Sequence, residues 1–267
     1  MVDIHTHILP GFDDGPSTVE QTRQMLAAAE QGGTKTLVLT PHILNPSDYG
    51  REPELLEKFA LVQNLIRKDG RKIKIFLGGE IYLYPDTQLD RRFSTFNNNG
   101  KYALVEFSMR EIPEFVPQKL FDLMLKGYQP VLAHPERYLP IMRNPAYAYK
   151  FAQMGVTLQM NAGSLLGVFG STVQATAQQL LEHDLIHVIA SDGHDTNSRT
   201  ISLAAVRGYV VKNFGEKTAD ILLVTNPGNI IRGEKLLKKE PIPFDDSGKK
   251  TSRWQMVKKK LKLDKMF

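Results

Sequence analysis

The sequence predicts an α/β fold built as a closed barrel of parallel strands, and three observations carry that prediction. Six short apolar runs each finish in a His, Asp or Glu: Val2 to His5-Thr-His7, Lys35 to His42, Ile73 to Glu80, Tyr102 to Glu106, Pro130 to His134, and Ile186 to Asp192-Gly-His194. Strand-like and helix-like segments alternate with short turns, the pattern of repeated βα units. A chain of 267 residues that is 42% hydrophobic can also bury one large core, and barrels of about 250 residues form single domains.

The first strand is expected at 2–5, where alternation sets both imidazoles of His5 and His7 on one side. Ser17-Thr-Val-Glu20 reads as a capping box that opens a helix stopping at Gly32-Gly33. A strand at 35–40 follows. Glu52 to Lys68 then carries a 3.6-residue apolar rhythm (Leu55, Leu56, Phe59, Val62, Leu65, Ile66) that ends at Gly70. Strands at 73–79, 102–107, 130–133, 156–160 and 186–191 complete a set of seven. Helices are expected at about 113–126, 144–154, 172–183, 199–214 and 226–238, the last opening on Thr225-Asn226-Pro227. Composition breaks only from Pro241-Ile-Pro243 to Gly248, which divides a domain at 1–240 from a flexible basic tail at 241–267.

The net charge of +5 belongs to that tail. Residues 248–267 hold eight Lys/Arg against Asp264 alone, a net of +7, so 1–247 holds 26 basic and 28 acidic residues, a net of −2. A barrel of that balance offers no basic groove for nucleic acid, which argues against a nuclease. Zero cysteines exclude disulfides, thiolate ligands and a cysteine nucleophile. No apolar run approaches the roughly 20 residues of a membrane span, and the N-terminus lacks a signal-peptide pattern. The expected location is cytoplasmic.

In such barrels the site sits where strands end and loops leave. Five histidines (His5, His7, His42, His134, His194) and four carboxylates (Asp14, Glu80, Glu106, Asp192) are expected there, with Asp13 as an alternative to Asp14. Burying so many charges without cations is prohibitive, so two or three ions are expected. A sulfur-free set of imidazoles and carboxylates suits manganese, iron or zinc. His187 faces away from Asp192 and His194 by strand parity and is expected to be packed or solvent-facing; His183 falls in the last turn of a helix, where its charge complements the dipole. Arg137, three residues past His134, is expected to grip a phosphate.

His5-Thr-His7, Thr40-Pro-His42, Gly79-Glu80-Ile81, Glu106-Phe107, Ala133-His-Pro-Glu-Arg137, Gly163-Ser-Leu-Leu-Gly167 and Ala190-Ser-Asp192-Gly-His194 together resemble the polymerase-and-histidinol-phosphatase (PHP) superfamily. Within it, the pattern over about 1–235 is most similar to the metal-dependent protein-tyrosine phosphatases of bacterial capsule and exopolysaccharide operons. The resemblance implies a distorted (β/α)7 barrel of the TIM type and a trinuclear site, usually manganese. It assigns His5, His7, Glu80 and Asp192 to one ion, Glu80, Glu106 and His134 to a second, and Asp14, His42 and His194 to the third. Arg137 would bind the phosphate beside Asp192 and His194 at the catalytic centre. The implied substrate is the phosphorylated C-terminal tyrosine cluster of a tyrosine autokinase, and the implied role is control of polysaccharide synthesis. A small-molecule phosphomonoesterase of the histidinol-phosphatase kind and a non-catalytic metal-binding regulator remain alternatives.

The tail is a separate feature. Trp254, Val257 and Leu261 recur at helical spacing among Lys258, Lys259, Lys260, Lys262 and Lys265, a pattern for an anionic membrane surface at the inner face. A solvated end that aids solubility is the alternative.

Overall fold

The computed structural model describes residues 1–244; the expected tail helix lies outside them. β1 (Val2–Thr6) is followed by α1 (Val19–Gln31), β2 (Thr36–Leu39), the two-residue β3 (His42–Ile43), α2 (Glu52–Lys68), β4 (Lys74–Leu77) and β5 (Glu80–Tyr82). Then come β6 (Tyr102–Glu106), α3 (Val116–Leu125), β7 (Gln129–Ala133), α4 (Leu139–Arg143), α5 (Ala146–Gln153), β8 (Thr157–Asn161), α6 (Ala162–Leu165), α7 (Ser171–Glu182) and β9 (Val188–Ala190). α8 (Ala204–Phe214), α9 (Glu216–Asp220), a π-helical turn (Ile221–Thr225) and α10 (Asn226–Arg232) complete the described helices.

All pairings are parallel, in the orders β1-β2-β4 and β3-β5-β6-β7-β8-β9. β2 continues into β3 through Thr40-Pro41, and β4 into β5 through Gly78-Gly79. Gly78 N–H donates to Leu39 O (2.9 Å) and Glu80 N–H to Pro41 O (3.0 Å), so the ladder carries across both breaks. The segments therefore occupy seven barrel positions, as expected, with two of the strands split. Between β9 and β1, Asp192 N–H donates to His5 O and His7 N–H to Gly193 O, both at 2.9 Å. Asp3 reinforces this seam by accepting Ser191 N–H at 3.0 Å. β9 and β1 are thus joined by bonds clustered around the strand ends rather than by a full ladder. Gly193 is required at the seam, since a Cβ there would lie 2.7 Å from Ile201 Cα.

Alternate residues divide between two cores. Leu104, Val131, Ala133, Val188 and Ala190 face an inner cluster with Val38, Phe96 and Ile230, while Ala103, Val105, Leu132, Leu158 and Ile189 face the helices. β1 breaks the alternation with a bulge between Asp3 and Thr6. Ile4 joins the inner cluster, and His5 still reaches the interior to meet Gln159. Bulges re-aim side chains in this way beside functional sites.

Several boundaries differ from the sequence reading. The capping box is Thr18 with Gln21, one residue beyond the expected pair, because Gln21 Oε1 accepts Thr18 N–H (3.1 Å) while Thr18 Oγ1 accepts Gln21 N–H (3.3 Å). Asn226-Pro227 does not open a helix from a loop. The chain is already helical, and Pro227, which lacks an N–H and crowds the carbonyl four residues back, follows the π-helical turn. α10 stops at Arg232 rather than 238, since Gly233 takes φ +71° and ends the helix. α8 begins at Ala204 rather than 199. Beyond α10, Ile242 N–H donates to His183 O (2.9 Å), and Phe244 stacks on the His183 ring at 3.9 Å between centroids. The ring also bonds Ile242 O through Nδ1 (2.9 Å), so His183 anchors this segment as well as sitting at a helix end.

Candidate metal centre

The nine expected residues converge at the C-terminal ends of the strands. His5 is the penultimate residue of β1 with His7 just beyond the strand, His42 is on β3, Glu80 opens β5, Glu106 ends β6, His134 follows β7, and Asp192 and His194 follow β9. His134 (φ +36°) and Asp192 (φ +51°) hold left-handed backbone conformations, strain that persists where the surrounding fold enforces it and that concentrates at functional sites.

Glu80 is the hub. Its Oε2 lies 3.1 Å from His5 Nε2, 3.3 Å from His7 Nε2 and 3.0 Å from His42 Nδ1, and its Oε1 lies 2.9 Å from His134 Nε2. His42 Nδ1 is 3.4 Å from Glu106 Oε1. Asp192 Oδ1 stands 3.5 Å from both His5 Nε2 and His7 Nε2. At the outer edge His194 Nε2 is 2.9 Å, and His42 Nε2 3.5 Å, from Asp14 Oδ1. The clusters of convergent donors are His5-His7-Glu80, His42-Glu80-Glu106, His5-His134-Asp192 and His7-Asp14-His42-His194. The groups overlap: His134 Nε2 lies 2.9 Å from Glu80 Oε1 and 3.9 Å from Glu106 Oε2, while Glu80 and Glu106 also meet His42 and His134 also meets His5 and Asp192.

Two neighbouring acids now have different jobs. Asp14 is at the cluster, whereas Asp13 Oδ2 accepts His7 Nδ1–H (2.8 Å) and His42 N–H (3.1 Å). Asp13 thereby turns the Nε2 lone pair of His7 inward. His5 is set by a chain of amides absent from the sequence reading. Asp192 only accepts, so Asn161 Nδ2 must donate to its Oδ2. Asn161 Oδ1 is then the acceptor for Gln159 Nε2 (2.9 Å), and Gln159 Oε1 the acceptor for His5 Nδ1–H (2.8 Å). In the neutral ring this leaves the Nε2 of His5 as a lone pair. It lies 3.1 Å from Nε2 of His7.

Electrostatics follow from this crowding. Burial opposes a charged His5 ring, yet Glu80 and Asp192 outweigh it and raise the pKa to about 9. The same contest at His42, with Glu80 and Glu106 prevailing, pushes it up to about 12. Glu80 is held well below the usual carboxylate range, since His5 and His42 overcome its burial. Without cations, the site would have to hold protons on its imidazoles to balance its acids.

Arg137 pairs with Asp192 (Nη1 to Oδ2, 3.0 Å) and lies 4.4 Å over the Phe169 ring. The adjacent Glu136 is instead buried and accepts Asn161 N–H at 2.9 Å. A second guanidinium, Arg199, puts Nη2 2.8 Å from Asp192 Oδ1 and Nη1 3.6 Å from Asp14 Oδ2. The sequence reading placed it in a helix. Its signal was a basic residue shortly after a ligand histidine, five residues past His194 where Arg137 stands three past His134. His187 lies away from the cluster, buried, its Nδ1 accepting Leu158 N–H at 3.0 Å.

A family model described as capsular polysaccharide synthesis, CpsB/CapC, matches residues 1–232, from β1 to the end of α10. The chain belongs to the CpsB/CapC family. It is 35% identical over 247 residues to the tyrosine-protein phosphatase YwqE of Bacillus subtilis, covering 91% of this chain and 96% of that protein. Identity to the tyrosine-protein phosphatase CpsB of Streptococcus pneumoniae is 32% over 238 residues, covering 86% and 98%. A crystal structure from work on YwqE of Bacillus subtilis and CpsB of Streptococcus pneumoniae, described as unique metal-dependent tyrosine phosphatases, matches with a TM-score of 0.85 at 33% identity; the match covers 92% of this chain and 100% of that one. The resemblance read from the motifs therefore holds over the whole barrel, and the (β/α)7 architecture is the one this family shares.

Proposed function

We propose that the chain is a metal-dependent protein-tyrosine phosphatase, a phosphoric monoester hydrolase without a cysteine nucleophile. Its substrate would be phosphotyrosine in the C-terminal cluster of a bacterial tyrosine autokinase, and its role control of capsular or exopolysaccharide synthesis. The observation that carries this reading is the convergence of five imidazoles and four carboxylates beside two guanidiniums at one barrel mouth.

The residues fit a metal cluster. Glu80 Oε2, Asp192 Oδ1, His42 Nδ1, His134 Nδ1 and His194 Nε2 are buried without hydrogen bonds, a costly state unless something else satisfies them. His5, His7, Glu80 and Asp192 would hold one ion, Glu80, Glu106 and His134 a second, and Asp14, His42 and His194 a third. Three manganese ions are the proposed complement, with iron or zinc as alternatives. When bound, such ions polarise a phosphoryl oxygen and acidify a water to a nucleophile at neutral pH.

The chain's own residues do the rest. Glu80, touching four imidazoles, fixes the spacing of the whole set. Asp13 and the Gln159-Asn161 pair hold His7 and His5 in the tautomers that present Nε2. Arg137 and Arg199 bracket Asp192, and Arg199 Nε is buried without a partner. Both guanidiniums keep N–H groups to donate to phosphate oxygens, where charge builds as the ester breaks. Asp14, with its side chain 57% exposed, marks the open side from which a substrate enters.

Residues 1–240 are proposed as the phosphatase domain, although the described chain stays docked through Phe244. Residues 241–267 are proposed as a basic tail that brings the enzyme to an anionic inner membrane face from the cytoplasm. No helix of the described residues is long and apolar enough to cross a membrane.

A side-by-side rate comparison tests the activity. A phosphotyrosyl peptide is expected to be hydrolysed with higher kcat/KM than a phosphoseryl peptide or histidinol phosphate. A preference for histidinol phosphate would replace this reading with the small-molecule phosphatase.

A further inference from the structure

A cavity of about 240 Å³ lies between the segments that follow β3 and β5. It is lined by Ile43, Tyr49, Tyr82, Tyr84, Asp86 and Asp90 among others. Ile43 follows His42 on β3, and Tyr82 lies two residues past Glu80 on β5, opposite Glu106 in the ladder. The cleft is thus built on the same two strands that carry His42 and Glu80, with none of the proposed ligands in its lining. Its volume is below the roughly 300–1,000 Å³ of ordinary small-molecule pockets and suits one side chain of a larger substrate.

The walls are fixed in advance. Tyr84 Oη donates to Leu44 O (3.0 Å) and Tyr49 Oη to Gln88 O (3.1 Å), tying the loop after β3 to the loop after β5. Lys119 Nζ donates to Pro85 O (2.9 Å) and Thr87 O (2.7 Å), bracing the second loop from behind. Tyr82 and Tyr84 present tilted rings 5.3 Å apart. Of the charged lining groups, Arg91 offsets Asp90 at 3.7 Å, whereas Asp86 makes no hydrogen bond or salt bridge through its side chain among the described residues. Aromatic faces and an uncommitted carboxylate in one cleft are complementary to a cation on a flexible stem.

We infer that this cleft binds a Lys or Arg side chain flanking the phosphotyrosine of a peptide substrate, with Asp86 as the residue that selects for positive charge. The inference rests on the phosphatase reading and deepens it. A phosphotyrosine seated at the metals must lead its flanking residues out over the rim. Ile43 lies one residue past His42 and Tyr82 two residues past Glu80, and Asp86 sits in the loop that leaves β5, six residues past Glu80. Exposed ion pairs and cation–π contacts are individually weak, so together they are worth about tenfold in kcat/KM.

The test uses full-length, manganese-loaded protein and phosphotyrosyl peptides in which Lys or Glu is placed in turn at each position from −3 to +3. At one position or two adjacent ones, the Lys peptide is expected to exceed the Glu peptide about tenfold in kcat/KM. Asp86→Lys should abolish or invert that preference while leaving para-nitrophenyl phosphate hydrolysis unchanged, since Asp86 touches none of the proposed metal ligands. Equal kcat/KM for every Lys/Glu pair, or a preference that survives in Asp86→Lys, would overturn the cleft assignment and leave the phosphatase reading intact. A change of oligomeric state in Asp86→Lys, read by light scattering, would overturn it in favour of an interface between copies. Loss of hydrolysis on every peptide by metal-replete wild type would overturn both.

Discussion

His5 and His7 present their Nε2 atoms to each other across 3.1 Å, and in their neutral forms neither has a spare hydrogen there to share. His5 commits its Nδ1–H to Gln159 and His7 commits its own to Asp13. Two lone pairs so placed repel unless a cation or a proton lies against them. With Glu80 Oε2 within 3.3 Å of both rings, the arrangement is suited to hold a cation.

The amide chain behind His5 gives the first prediction. Gln159→Leu removes the acceptor that fixes the His5 tautomer and strands the Asn161 carbonyl, while leaving every proposed ligand in place. Apparent manganese affinity, measured by equilibrium dialysis or calorimetry, should weaken by about 10- to 100-fold. Unchanged affinity would show that Gln159 is only packing.

The guanidiniums give the second. Arg137→Ala and Arg199→Ala should each retain the wild-type metal count by elemental analysis and lose about 10²- to 10³-fold in kcat/KM, the scale for one preorganised donor. A parallel loss of metal would assign these residues to holding Asp192 rather than phosphate.

What the sequence disclosed follows from what a strand requires. An apolar run that ends in a ligand-type residue names both an element and the end where chemistry sits, so His5, His7, His42, Glu80, Glu106, His134, Asp192 and His194 were all legible. Gln159 and Asn161 were not, because uncharged amides inside an expected strand are indistinguishable from tolerated polar residues until their partners are known. Arg199 was hidden for a different reason. The loop that carries it is held by Asp195, whose Oδ1 accepts Asn197 and Arg199 N–H, and local side-chain capping of that kind is silent in an apolar periodicity. The splits in two strands were equally invisible, since Thr40-Pro41 and Gly78-Gly79 sit within runs that remain β-like on either side.

His187 gives the third prediction. Burial, aided by the nearby Lys238 charge, lowers its pKa to about 3 from an ordinary 6.5. The unfolded chain therefore binds the extra proton between pH 6.5 and 3, so stability rises with pH through that window and is lost as pH falls. The loss from this one ring is about 2 kcal/mol at pH 5. Chemical denaturation of wild type and His187→Gln at pH 7 and pH 5 isolates it: the variant should show a smaller drop. An identical drop would place the charged ring in solvent.

Glu80, in contact with four imidazoles, is proposed to bridge ions in a metal-dependent phosphotyrosine site at the barrel mouth. The most direct test of this is a manganese titration of exhaustively chelated protein, with bound metal and phosphotyrosyl-peptide hydrolysis read on the same samples, for wild type and Glu80→Ala. Wild type should lose hydrolysis with its metal, regain it as manganese returns and ignore thiol-alkylating agents; Glu80→Ala should bind fewer ions and stay inactive. Full hydrolysis by wild type after verified metal loss, or a Glu80→Ala protein with wild-type metal count and rate, would contradict the account.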